Sequence, residues 1–143
     1  VENMEFVDTM RTLEDIYEKY EKRVSIQISN DDYNNLTYAE TRTLYAIGYP
    51  EGKYMKQISE ILGIASNTAT VAVNRLEKKG LVKRELGLED KRQFLISLTE
   101  DAKKLLDQVD KIFIDEMKRL FAPLSDTEIL LLKNLLLKIN SKY

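Results

Sequence analysis

Ser66, Asn67, Thr68, Thr70, Val71, Asn74 and Arg75 crowd into one stretch of helical character, and most are small hydrogen-bonding groups. Turning about 100° per residue sets Ser66, Asn67, Thr70, Val71, Asn74 and, more obliquely, Arg75 on the side away from Ala69, Val73 and Leu76. Such a face suits the base edges of a DNA major groove. An Asn amide can bond adenine through both N6 and N7, hydroxyls serve bases or phosphates, and a Val side chain can meet a thymine methyl. The free N–H groups of a helix start add affinity for phosphate. A solvated polar face has much the same composition, so the flanking sequence must decide. About a dozen residues later, Gly87-Leu88-Glu89-Asp90-Lys91-Arg92 places two cations between two β-prone runs. A cationic tip of this kind can enter a narrow minor groove, with Asp90 holding the Arg92 guanidinium extended through a salt bridge. A plain solvated turn is the alternative. Lys53, Lys56, Lys83 and Arg84 are the candidate flanking cations.

The elements that must position these groups follow from periodicity and caps. Val7, Met10, Leu13, Ile16, Tyr17, Tyr20, Val24 and Ile28 recur at steps of three and four, which predicts an amphipathic helix from Met4 to about Ile28. Ser29 to Asn35 reads as a turn. Thr37-Tyr38-Ala39-Glu40 is a capping-box pattern opening a helix to about Ile47, stopped by Gly48 and Pro50. Tyr54 to Leu62 predicts a short third helix, and Gly63 a sharp turn into a fourth over Ser66 to Lys79 that stops at Gly80. This is helix-turn-helix spacing, with Ile58, Ile61, Ile64, Ala69, Val73 and Leu76 expected to share a small core. Ser66 is expected to cap the fourth helix in place of Ala65. Leu81–Leu86 and Gln93–Leu98 predict a hairpin with a projecting tip. Thr99 caps a long fifth helix that Pro123 ends, and Ser125-Asp126-Thr127-Glu128 opens a last helix from Asp126 to about Ile139.

Composition removes several chemistries. The 143 residues hold no Cys and no His, so disulfides, thiolate catalysis, thiol redox sensing and imidazole as base or metal ligand are excluded within them. No metal site or cofactor is expected. The net charge of −2 hides a segregation: residues 53–92 carry nine basic against five acidic side chains, and the rest 13 against 19. A basic island in an acidic chain can still bind a polyanion, because salt screens exposed charges beyond roughly 8–10 Å. No apolar run reaches the ~18 residues that span a bilayer, so no membrane partner is expected and the cytoplasm is the expected location.

The last helix carries a separate message. Ile129, Leu130, Leu131, Leu132, Leu135, Leu136, Leu137 and Ile139 spread over most of its circumference, more than one edge of a small domain can cover. Self-association through the terminal helices answers that excess; a single central helix buried within a monomer is the alternative.

Gln57 to Ile64, the run Asn74-Arg75-Leu76-Glu77-Lys78-Lys79-Gly80-Leu81-Val82-Lys83-Arg84, and Glu89-Asp90-Lys91-Arg92 followed by Gln93 to Thr99 together resemble the winged-helix core of the MarR family. The flanking helices match that family in number, order and length. The resemblance implies a mainly α fold with a small β-hairpin wing: a winged helix-turn-helix at 36–98 between N- and C-terminal dimerisation helices at 1–35 and 99–143. It implies an obligate homodimer on double-stranded DNA, the fourth helix in the major groove and Arg92, steadied by Asp90, in the minor groove. The function so implied is that of a non-enzymatic transcription regulator, a repressor on an inverted repeat. The alternative reading is a winged-helix protein-interaction module that does not bind DNA. Two departures are the missing polar cap at Ala65 and the apolar Val71. A phenolic or lipid-like effector is implied between dimer body and winged domain, with Tyr17, Tyr33, Arg42 and Tyr45 as candidates; core packing is the alternative role for each Tyr. Leu44–Gly48 and Thr68–Leu76 are similar to the subgroup regulating fatty-acid synthesis, which would imply acyl-carrier protein as effector.

Overall fold

A computed structural model of the chain describes residues 2–30, 35–89 and 91–143; Tyr33 and Asp90 lie outside them. The described residues form α1 (Asn3–Asn30), α2 (Tyr38–Ile47), β1 (Lys53–Tyr54), α3 (Met55–Leu62), α4 (Ser66–Lys78), β2 (Val82–Leu86), β3 (Phe94–Leu98), α5 (Glu100–Phe121) and α6 (Asp126–Asn140). By contact the chain divides into two compact units, Val24–Ile112 and a second made of Val1–Arg23 with Phe113–Tyr143.

Within the unit 24–112, local chemistry sets the helix ends. Thr37 Oγ1 accepts from the Glu40 N–H at 3.1 Å while a Glu40 carboxylate oxygen accepts from the Thr37 N–H at 3.3 Å, completing the box that starts α2. Its far end is held by Lys53, whose Nζ donates to the Ile47 carbonyl at 2.6 Å. Gly80, at φ 73°, ends α4, with the Leu81 N–H returning to the Leu76 carbonyl; a left-handed residue there favours glycine. Lys79 links α4 to the start of α2 through Glu40 (2.5 Å) and the Asn35 carbonyl (2.9 Å).

The sheet has the order β1-β3-β2, antiparallel throughout. The two-residue β1 is an addition to the expected hairpin, pairing Lys53 with Ile96 and Tyr54 with Leu95. Gly52 makes that pairing possible: a Cβ there would lie 2.5 Å from the Ile96 carbonyl oxygen. Thr99 joins sheet to α5, its hydroxyl donating to the Gly80 carbonyl at 2.8 Å and accepting from the Ala102 N–H at 3.3 Å.

Every buried apolar side chain of the described residues lies in this unit, among them Leu44, Ile47, Ile58, Val73, Leu76, Ile96 and Val109. Ile58, Ala69, Val73 and Leu76 are inward as expected, but Ile61 is 56% exposed and Ile64 37%. Ile64 lies beyond the end of α3, in the turn; for Ile61 the reason is angular. Ile58, Ser59 and the half-buried Leu62 define the inner arc of α3, and at 3.6 residues per turn Ile61 falls roughly 110° from its middle. Leu44 and Ile47 of α2 are fully buried in the same unit.

The unit of residues 1–23 and 113–143 is different. It buries the Glu116 carboxylate against Arg23, whose Nε donates at 2.7 Å and Nη2 at 3.4 Å. That contact holds the Arg23 guanidinium above its ordinary pKa, chiefly through the hydrogen bond. None of its described apolar side chains is buried. Met4, Phe6, Val7, Met10 and Leu13 of α1 and Leu130, Leu131, Leu135, Leu136, Leu137 and Ile139 of α6 are exposed. A groove of about 750 Å³ runs along α6, lined by Phe121, Leu132, Leu136, Leu137 and Tyr143 among others.

Candidate nucleic-acid interface

The turn between α3 and α4 is built by Gly63 in the left-handed region (φ 65°), with the Ile64 N–H bonded to the Ser59 carbonyl. Ser59 is small and buried where α3 and α4 meet, as is Ala69. The start of α4 carries no side-chain cap: Ala65 occupies the N-cap position. Ser66 does not replace it, since it is already the first helical residue, and its carbonyl accepts from Thr70 Oγ1 at 2.8 Å. Asn67 Oδ1 accepts from the Thr68 N–H at 2.9 Å. The Ser66 and Asn67 N–H groups therefore stand at a helix start with no intrahelical acceptor, where the dipole favours an anion.

Ser66, Asn67, Thr68, Val71, Asn74 and Arg75 are exposed and Thr70 half-buried, so the structure brings the expected set onto one accessible helix. Arg75 and Val71 also line a cavity of about 320 Å³ between α2 and α4, with Thr37, Arg42, Thr43 and Thr68. Among the described residues no ion pair involves Lys56, Arg75 or Lys78.

The wing splits its cations by the alternation of β2. Lys83 points outward with Glu85, 3.5 Å away. Arg84 turns to α4: its Nε donates to Glu77 Oε2 at 3.0 Å and its Nη2 to Asn74 Oδ1. Arg84 also borders a cavity of about 360 Å³ with Lys56, Thr70 and Phe94. Lys53 serves the end of α2, as described above. The Gly87 N–H bonds the Gln93 carbonyl at 2.9 Å, and beyond it Lys91 and Arg92 are exposed. The Asp90 contact lies outside the described residues.

Of the effector candidates within residues 24–112, Arg42 and Tyr45 do not line the same cavity. Arg42 faces the cavity beside α4, while the Tyr45 hydroxyl donates to Asp110 Oδ1 and is absent from that lining. Tyr17 is exposed in the other unit, and Tyr33 lies outside the described residues. Sequence reasoning missed the Arg84–Asn74–Glu77 cluster; its signal was the position of Arg84 on the inward phase of β2.

Two helices joined by a tight turn, followed by an antiparallel hairpin, define a winged helix-turn-helix protein. Residues 34–93 match the family model described as MarR family. The organic hydroperoxide resistance transcriptional regulator of Bacillus subtilis (strain 168) is 36% identical over 77 residues, 54% of this chain and 52% of that protein. The chain thus spans about half the length of this relative. Among solved structures, the transcriptional regulator BldR from Sulfolobus solfataricus shares the fold with a TM-score of 0.78 at 23% identity, covering 100% of both chains. A mutant MarR from E. coli complexed with operator DNA gives 0.78 at 24% identity, covering 94% of this chain and 95% of that one.

Proposed function

We propose that this chain is a sequence-specific DNA-binding transcription regulator, a repressor that acts as a homodimer on an inverted repeat. One observation carries the proposal: α4 offers an exposed polar face and an uncapped start, followed in the chain by a wing that exposes Lys91 and Arg92. The structural neighbour from E. coli, solved with operator DNA, has the same fold. Ser66, Asn67, Thr68, Thr70, Val71, Asn74 and Arg75 are the proposed major-groove set; Lys56, Lys83, Lys91 and Arg92 are the proposed phosphate and minor-groove cations. Lys53 and Arg84 act through the fold, since their cationic heads are engaged at α2 and α4.

The homodimer rests on the unit of residues 1–23 and 113–143, whose apolar side chains a second copy would cover with the same self-complementary face. A cytoplasmic binding protein rather than an enzyme is the reading that fits the matched family and a sequence without Cys or His. Any response to hydroperoxide by these residues would not pass through a thiol.

Arg92→Ala tests the wing. We expect several-fold weaker duplex binding, a salt slope smaller by about one, and an unchanged melting temperature. Unchanged affinity in a folded variant removes the wing from the mechanism.

A further inference from the structure

We propose that Arg84 is a specificity-positioning residue: by holding the Asn74 carbonyl, it makes Asn74 a hydrogen-bond donor toward DNA and turns its base preference from adenine to guanine. The inference deepens the DNA-binding reading above and rests on it.

The chemistry begins with the direction of one hydrogen bond. An arginine guanidinium only donates. The Asn74 atom facing Arg84 Nη2 must therefore be the carbonyl oxygen, which also settles the orientation of the amide. Arg84 is itself fixed, because its Nε donates to Glu77 one helical turn further along α4 and its side chain is only 26% exposed. The guanidinium thus bridges two positions on the outer edge of the recognition helix, and Asn74 is the exposed end of that bridge.

Asparagine reads adenine by a matched pair of bonds: its oxygen accepts from N6–H and its nitrogen donates to N7. At Asn74 the oxygen already receives a cationic donor, and a second donor from adenine N6 would have to approach beside the guanidinium. The NH2 group has no such conflict. A cation on the carbonyl polarises the amide and strengthens its N–H donors. Guanine offers acceptors at both N7 and O6 in the major groove, so it is the base that a donor-only Asn74 favours. Glu77 offsets part of the Arg84 charge, so Arg84 contributes direction to Asn74 more than a bare cation to the phosphates.

The test is selection of bound duplexes from a random pool by the full-length wild-type protein and by Asn74→Ala, Arg84→Ala and Glu77→Gln. The position whose base preference disappears in Asn74→Ala is the one Asn74 reads. At that position we expect the wild type to favour guanine over adenine by about fivefold or more. Arg84→Ala, which frees the carbonyl, is expected to move the preference toward adenine there and at no other position; Glu77→Gln should do so more weakly. Melting temperatures establish that each variant is folded. A uniform loss of affinity in Arg84→Ala with an unaltered base profile would overturn the inference, as would an Asn74→Ala profile identical to wild type. Both results leave DNA binding intact. Failure of the wild type to retain any duplex is a different outcome, and it overturns the DNA-binding reading together with this inference.

Discussion

Leu137→Ala should weaken self-association without harming the fold of the single chain. Leu137 lies on α6, is 54% exposed, and lines the apolar groove with Phe121, Leu132 and Leu136. Covering a leucine completely is worth about 1.5–3 kcal/mol, so covering the half that remains exposed is worth about 0.8–1.6 kcal/mol. A two-fold interface uses the residue twice, which gives about 1.6–3.2 kcal/mol for the pair, or roughly a 15- to 200-fold rise in the dimer dissociation constant. Sedimentation over a dilution series measures that constant directly. Circular dichroism under conditions where both proteins have the same association state checks the fold. If Leu137→Ala associates as tightly as the wild type, or if the wild type is itself a monomer at micromolar concentration, α6 does not mediate self-association.

Two further outcomes concern the fold, one in each unit. Gly52→Ala puts a methyl carbon 2.5 Å from the Ile96 carbonyl oxygen; overpacking of this kind costs about 1–3 kcal/mol, seen as a melting temperature lower by roughly 2–12 °C. An unchanged melting temperature would mean that β1 does not need the close approach. Tyr20 has its phenol pKa raised by burial, with Glu116 and Tyr17 adding to it. Stability from this group is complete below pH ~10 and is lost as pH rises through the elevated folded value, because the unfolded chain ionises first. Tyr20→Phe should flatten the alkaline fall in stability measured by denaturant unfolding, and an unaltered fall would assign it to other groups.

Most of the architecture was legible because it is written locally. The Thr37 and Ser125 capping boxes, the glycines after α3 and α4, and Thr99 before α5 all state a helix end within a few residues. β1 was not legible. Two residues carry no periodicity, and its partner Ile96 lies more than forty positions downstream. Ile61 and Ile64 were expected inside because they are apolar, yet α3 buries only a narrow arc, which Ile58 and Ser59 occupy, and Ile64 lies in the turn beyond it. The recognition face itself was readable from the phase of Ala69, Val73 and Leu76. What the face presents was not: the carbonyl of Asn74 is engaged by a side chain from another element, and the Lys53 ammonium is spent on a helix end. Spacing gives at most the strand phase that turns Arg84 inward, and does not name the partners it meets. Unit boundaries were likewise hidden, since the division falls inside α1 and α5 rather than at a loop.

The most direct measurement is the stoichiometry and salt dependence of the wild-type protein on a selected palindromic duplex, read together by sedimentation and anisotropy. Two chains per duplex are expected, with an affinity that falls steeply with salt, by about 0.9 of log–log slope for each phosphate engaged. One chain per duplex, or no binding in dilute buffer, would contradict the proposed homodimer on DNA.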